Sequence, residues 1–247
     1  MSAPIKVTFP SFMLQISGEL YEPVAGSPDR KGAAAVVSHP MTGVKEPTSA
    51  NHARLLSKAL VTPSHSTQDP HKRVEDVKAA VSYLTTLEGK VDPGRIGILG
   101  ICASGGYTSY AAQSDSRVKG LATVGAACGE QQGVPPGYCW GSPGGWIMAH
   151  AGGSPTSFGG PTMFGSDINQ IPDNADSFFK DAAAYYGSER GRHPRSDQRV
   201  PPSSYDLMVC YDSFNFQQLI SGRPLLMVAG SKTQTLHYSA TAVAAAC

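Results

Sequence analysis

The sequence predicts an α/β domain, a mostly parallel and doubly wound sheet preceded by an N-terminal hairpin. Three observations carry that prediction. Short apolar runs alternate with helix-periodic segments over residues 33–124. Val74, Val77, Val81, Leu84 and Leu87 recur at spacings of three and four, the stripe of a helix that lies on a sheet. A turn of small residues, Gly100-Ile101-Cys102-Ala103-Ser104-Gly105-Gly106, joins an apolar strand directly to a helix.

Residues 5–9 and 13–21 are β-prone and separated by Pro10 and Ser11, which reads as the opening hairpin. The small apolar run 33–37 reads as a buried strand and ends in the loop Ser38-His39-Pro40-Met41-Thr42-Gly43. Residues 47–60 read as a helix with Ala53, Leu55, Leu56 and Leu60 near one face. The next helix spans 69–87; Asp69-Pro70 opens it and Gly89 can close it. Between these two helices only the polar stretch 61–68 remains, so one strand of the alternation is expected to be missing. Residues 95–101 form the strand before the turn, 104–113 a helix of small residues, and 118–124 and 224–230 later strands. Residues 175–186 regain helical character. The stretch 128–165 is aberrant: it holds 11 of the 27 glycines, five prolines, both tryptophans and one charged residue, Glu130. It is expected to be an insertion or disordered loop.

A chain of 247 residues with 40% apolar and 16% charged residues suits a single domain over 1–247. Its net charge of +1 provides no general attraction to nucleic acid or to anionic membrane. No apolar stretch is long enough to span a bilayer and the N-terminus has no leader pattern, so a cytoplasmic protein is expected. The cysteines, five in number, include no C-x-x-C pair, which argues against a zinc site or a redox dithiol; no metal and no cofactor are expected. No sequence feature sets an oligomeric state.

A nucleophile on a sharp strand-to-helix turn needs small residues two positions to either side, because the strand and helix backbones come close there. Gly100 and Ser104 flank Cys102 in that pattern, and Gly105 and Gly106 free the first helical turn to pack. Cys102 is thus the candidate nucleophile, at a helix N-terminus expected to favour thiolate. Ser104 is the alternative nucleophile, although it also suits the start or cap of the helix. The same glycines do not form a dinucleotide loop, since Cys102 stands where a glycine is required, nor a phosphate loop, since Tyr107 follows Gly106. The loop from His39 to Gly43 follows the earlier strand, where a backbone N–H can serve an oxyanion. Met41 is the candidate donor there and Ala103 the second.

With these pieces in this order, the chain resembles the dienelactone hydrolase-like α/β-hydrolases. More narrowly it resembles their fungal polyketide transferase-like branch, through the run Ser38 to Glu46, the segment Arg73-Val74-Glu75-Asp76-Val77, the turn from Gly100 to Tyr107 and the late strand from Arg223 to Ser231. The resemblance implies a sheet of the α/β-hydrolase type and acyl chemistry on a small-molecule ester, thioester or polyketide. It also implies an incomplete chain. Family members carry a strand ending in an A-Y-D-type segment after the first long helix. They continue to a last strand and a histidine-bearing loop, whereas this chain stops at Cys247. Only His237 lies beyond the strand at 224–230, which makes it the candidate base. The loop 231–235 has no aspartate, and Asp206 and Asp212 are distant candidates for the acid. The leading expectation is a cysteine-dependent hydrolase or acyltransferase. The alternatives are an inactive, truncated hydrolase remnant with at most a ligand-binding role, and a flavodoxin-like binding module.

Overall fold

The computed structural model describes residues 4–41, 43, 49–50, 52–53, 59–61, 69–127, 177–193, 207–208, 211–233 and 235–246. The glycine- and proline-rich stretch 128–165 and Asp206 lie outside them. Strands β1 (Ile5–Ser11) and β2 (Leu14–Tyr21) form the hairpin, with Ser11 opposite Leu14 and Ile5 opposite Leu20. The remaining strands are β3 (Ala34–Ser38), β4 (Ala59–Val61), β5 (Ile96–Ile101), β6 (Val118–Val124) and β7 (Leu225–Val228). The sheet order is β1-β2-β4-β3-β5-β6-β7. β2 meets β4 antiparallel, and β4, β3, β5, β6 and β7 run parallel. The expected architecture is therefore present.

One element differs from its expectation. The helix predicted over 47–60 overruns: residues 50, 52 and 53 are helical, but 59–61 are β4, which pairs Leu60 with Val36 and with Leu20. The strand thought to be missing is there in a three-residue form. Ala59-Leu60-Val61 is too short and too uniformly apolar for periodicity to separate a helix end from a buried strand.

The helices are α1 (Pro70–Thr85), α2 (Ser104–Ser114), α3 (Ser177–Tyr186) and α4 (Leu236–Ala246). α1 starts where the sequence says, with Pro70 in its first turn and the Asp69 carboxylate accepting from His71 N at 3.0 Å and Lys72 N at 3.4 Å. Its stripe of Val74, Val77, Val81 and Leu84 is buried with Val36, Ile96 and Ile98 of the sheet and Tyr107 and Ala111 of α2. Alternate residues of the same strands, Val37, Leu99 and Ile101, face a second apolar layer with Ala50 and Ala53. This is the period of two expected of strands covered on both faces.

Arg117 ties these layers together at the turn between α2 and β6. Its guanidinium donates to Asp115 Oδ2 at 2.6 Å and to Ser82 Oγ of α1 at 2.8 Å. Burial alone would raise the Asp115 carboxyl. The hydrogen bonds from the Arg117 side chain and backbone outweigh it and hold the group below its ordinary range. A carboxyl lowered in the folded state stabilises the fold above its unfolded pKa, and that contribution disappears as pH falls through the folded value. Asp115→Asn is therefore expected to remove part of the loss of stability seen on acidification below about pH 4, the ordinary carboxylate value, with urea unfolding at graded pH as the check.

Candidate active site

Cys102 and the loops after β3 and β7 all follow the C-terminal ends of parallel strands, the usual place for a site in an open α/β sheet, and of the sequence candidates Cys102 lines the cleft found there. β5 ends at Ile101 and the chain turns at once through Cys102, whose φ of +56° lies in the left-handed region. That conformation is costly for a residue with a Cβ and must be held by its surroundings. Here both sides hold it. Cys102 N donates to Val124 O at 3.0 Å, while the Cys102 carbonyl accepts from Gly105 N at 2.8 Å and Ala127 N at 3.0 Å.

The flanking small residues are required by space. A Cβ on Gly100 would come within 2.6 Å of the Ser104 carbonyl carbon and closer still to its oxygen. One on Gly105 would lie 2.5 Å from the Ala126 Cβ, and one on Gly106 would press on the Ser213 hydroxyl. Ala103 stands at the N-cap of α2, with its carbonyl accepting from Gly106 N at 3.1 Å.

Cys102 is a free, half-buried thiol. Burial pushes it up from its ordinary value, and the Ala103 backbone N–H only partly offsets the rise. Burial thus works against the helix N-terminus, which was expected to favour the thiolate: desolvation disfavours the charged form more than one N–H favours it. Cys102 opens into a cleft of about 640 Å³ that α3 and the loop after β7 complete. Asp181, Tyr185 and Tyr186 come from α3, and Ser231, Lys232 and Thr233 from the loop. The Tyr185 and Tyr186 rings meet edge to face, centroids 5.0 Å apart. The Tyr186 phenol is pushed up strongly, first by burial and then by the charges of Cys102 and Tyr185 beside it.

The other sequence candidates fall in three places. Ser104 is fully buried, and its hydroxyl is engaged with the Ser38 hydroxyl at 2.9 Å and with the His39 carbonyl. Met41 is buried in the loop after β3, where Gly43 N closes a turn on Pro40 O at 3.1 Å. His237 is not brought to the thiol. It is exposed in the first turn of α4, its ring against Tyr238 at 3.9 Å, and it does not line the cleft. Asp212 is a turn residue, accepting from Phe214 N at 2.8 Å. Among the described residues no group of three or more His, Cys, Asp or Glu side chains could hold a metal, and no helix is long and apolar enough to cross a membrane.

Sequence reasoning missed a buried cation beneath this site. Arg73 is one of the most buried large side chains of the protein. Burial lowers its pKa, while Tyr107 and Asp76 favour its charge. It donates to His39 Nε2 at 2.8 Å, to His39 O at 3.1 Å and to Ser104 Oγ at 3.3 Å, and its guanidinium lies 5.7 Å from the centre of the Tyr107 ring. The sequence does carry a signal for it. Arg73, Val77, Ala80 and Leu84 are spaced four, three and four apart, so a charged residue sits in register with the buried stripe.

No family model matches the chain. It is 30% identical to the uncharacterized protein YcjY of Escherichia coli strain K12, over 89% of this chain and 78% of that one. It is 26% identical to the uncharacterized protein PA2218 of Pseudomonas aeruginosa, over 98% of this chain and 70% of that one. The crystal structure of PA2218 superposes with a TM-score of 0.79 and 24% identity, over 99% of this chain and 83% of that one. That of the α/β-hydrolase GrgF from Penicillium sp. sh18 superposes with a TM-score of 0.63 and 14% identity, over 99% and 86%.

Proposed function

The chain belongs to the α/β-hydrolase superfamily, in one family with YcjY, and on that premise we propose that it is a hydrolase or acyltransferase of small-molecule esters or thioesters, with Cys102 as the nucleophile. The observation that carries this reading is the left-handed Cys102 on the turn between β5 and α2, with its thiol opening into the cleft. Ser104 is a poor rival, because its hydroxyl is buried and already committed to the His39 carbonyl. Polyketide acyl groups come within the substrate class through the fungal polyketide transferase-like motifs. The aromatic wall of Tyr185 and Tyr186 suits an unsaturated acyl chain.

In the acylation step the Cys102 sulfur adds to the carbonyl carbon while the carbonyl π pair moves onto oxygen. The N–H groups of Ala103 and Met41 are the assigned donors to that oxyanion. Collapse breaks the bond to the alkoxide or thiolate, and the proton lost by Cys102 ends on the leaving group. Water or an alcohol then takes the acyl group. Among the described residues no histidine lines the cleft to give this second step the base assistance worth roughly 10²- to 10⁴-fold, and slow deacylation is therefore expected.

A burst of p-nitrophenol from p-nitrophenyl acetate followed by slow turnover is the expected result. Because burial raises the Cys102 thiol, the burst rate is expected to climb from pH 7 to beyond about 8.5, the ordinary thiol value, without levelling near neutrality. A plateau at neutral pH would contradict an attacking thiol of this kind. The second reading, a remnant that binds a ligand without turning it over, is favoured by the position of His237 outside the cleft. It predicts no burst at all.

A further inference from the structure

We propose that Arg73 is a positioning residue for the oxyanion site, aiming the Met41 N–H through His39. The inference rests on the reading of Cys102 as an acyl acceptor. The guanidinium, which has donors only, approaches both ring nitrogens of His39, Nε2 at 2.8 Å and Nδ1 at 3.3 Å. Pro40 O can only accept and lies 2.7 Å from Nδ1, so the ring proton is on Nδ1 and Nε2 is the acceptor from Arg73. The longer approach to Nδ1 is a contact without a hydrogen bond. Nδ1 therefore donates to Pro40 O. Gly43 N donates to the same oxygen at 3.1 Å.

Pro40 O and the Met41 N–H belong to one peptide group, and in a planar trans peptide they point in opposite directions. Two donors that fix Pro40 O therefore fix the direction of the Met41 N–H, and by drawing on the carbonyl they make that N–H a better donor. Pro40 has no N–H of its own, so Met41 supplies the first donor after His39. The other arm of the guanidinium holds His39 O and Ser104 Oγ, which ties this loop to the first residue of α2, next to Ala103. One buried cation thus spans the backbone that presents both assigned donors.

Two reactions of Cys102 separate positioning from structure. Acylation by p-nitrophenyl acetate builds charge on a carbonyl oxygen, whereas alkylation by iodoacetamide displaces iodide at a saturated carbon and needs no oxyanion donor. Arg73→Lys is expected to slow acylation on the order of 10²-fold, the scale of losing one donor, while alkylation stays within about twofold. Equal slowing of both reactions, or of neither, overturns the proposal. A wild-type protein that is alkylated but never acylated instead overturns the nucleophile reading, and this inference with it. Nitrogen-15 NMR of the wild type gives a check free of folding effects: the Nδ1–H tautomer of His39 is expected, and the Nε2–H tautomer overturns the relay.

Discussion

Cys102→Ala removes the p-nitrophenol burst, with a fall in acylation rate of at least about 10³-fold, in line with the loss of a nucleophile whose partners act as a unit. The reason is local. Among the described residues the cleft presents one thiol, and the nearest hydroxyl on the same turn, Ser104, is buried against Ser38 and the His39 carbonyl. Cys102→Ser is expected to fall nearly as far. A serine hydroxyl attacks only when a base removes its proton, and no histidine among the described residues lines this cleft. A thiol needs less help, even one raised by burial. Stopped-flow absorbance under excess ester reads all three proteins, and a serine variant as fast as wild type would mean that a base reaches the turn.

Gly100→Ala has the second large effect, on stability. The added methyl would meet the carbonyl carbon and oxygen of Ser104 and the Thr108 hydroxyl. Two of those three atoms are main chain, so no rotamer change relieves them; either β5 or α2 must move. Overpacking of this kind costs about 3 kcal/mol or more, a large share of the roughly 5–15 kcal/mol that stabilises a typical domain. Gly120→Ala on the neighbouring strand is the control. Its Cβ would find only Pro224 O at 3.7 Å, an ordinary contact, and the change is expected to stay within about 1 kcal/mol. Urea unfolding of the two variants beside wild type checks the contrast, and equal midpoints would contradict the close approach at Gly100.

The same close approach explains why this turn was legible in the sequence. Gly100, Gly105 and Gly106 are spaced by the geometry of a strand entering a helix, and the α1 stripe and the hairpin likewise express local periods. β4 was not legible because three apolar residues carry no period, and its identity comes from pairing with β3 and β2. The walls of the cleft were not legible either. Of the segment 175–186 that reads as helical, Ser177–Tyr186 is a helix, but nothing local says that Tyr185 and Tyr186 line one cleft with Cys102, since only the tertiary fold brings α3 to the end of β5. The setting of the thiol is only half legible for a related reason. A helix N-terminus is visible in sequence, whereas the burial that outweighs it belongs to the assembled site. His237 is a candidate by chain order alone, and it is exposed on α4 and not among the described residues that line the cleft.

The central claim, a covalent acyl-enzyme on Cys102, is tested most directly by peptide-mapping mass spectrometry of protein quenched in acid during the burst. The expected result is one acetyl group on the peptide that holds Cys102, released by neutral hydroxylamine as a thioester should be. An unmodified Cys102 peptide in protein that still reacts there with iodoacetamide would contradict it.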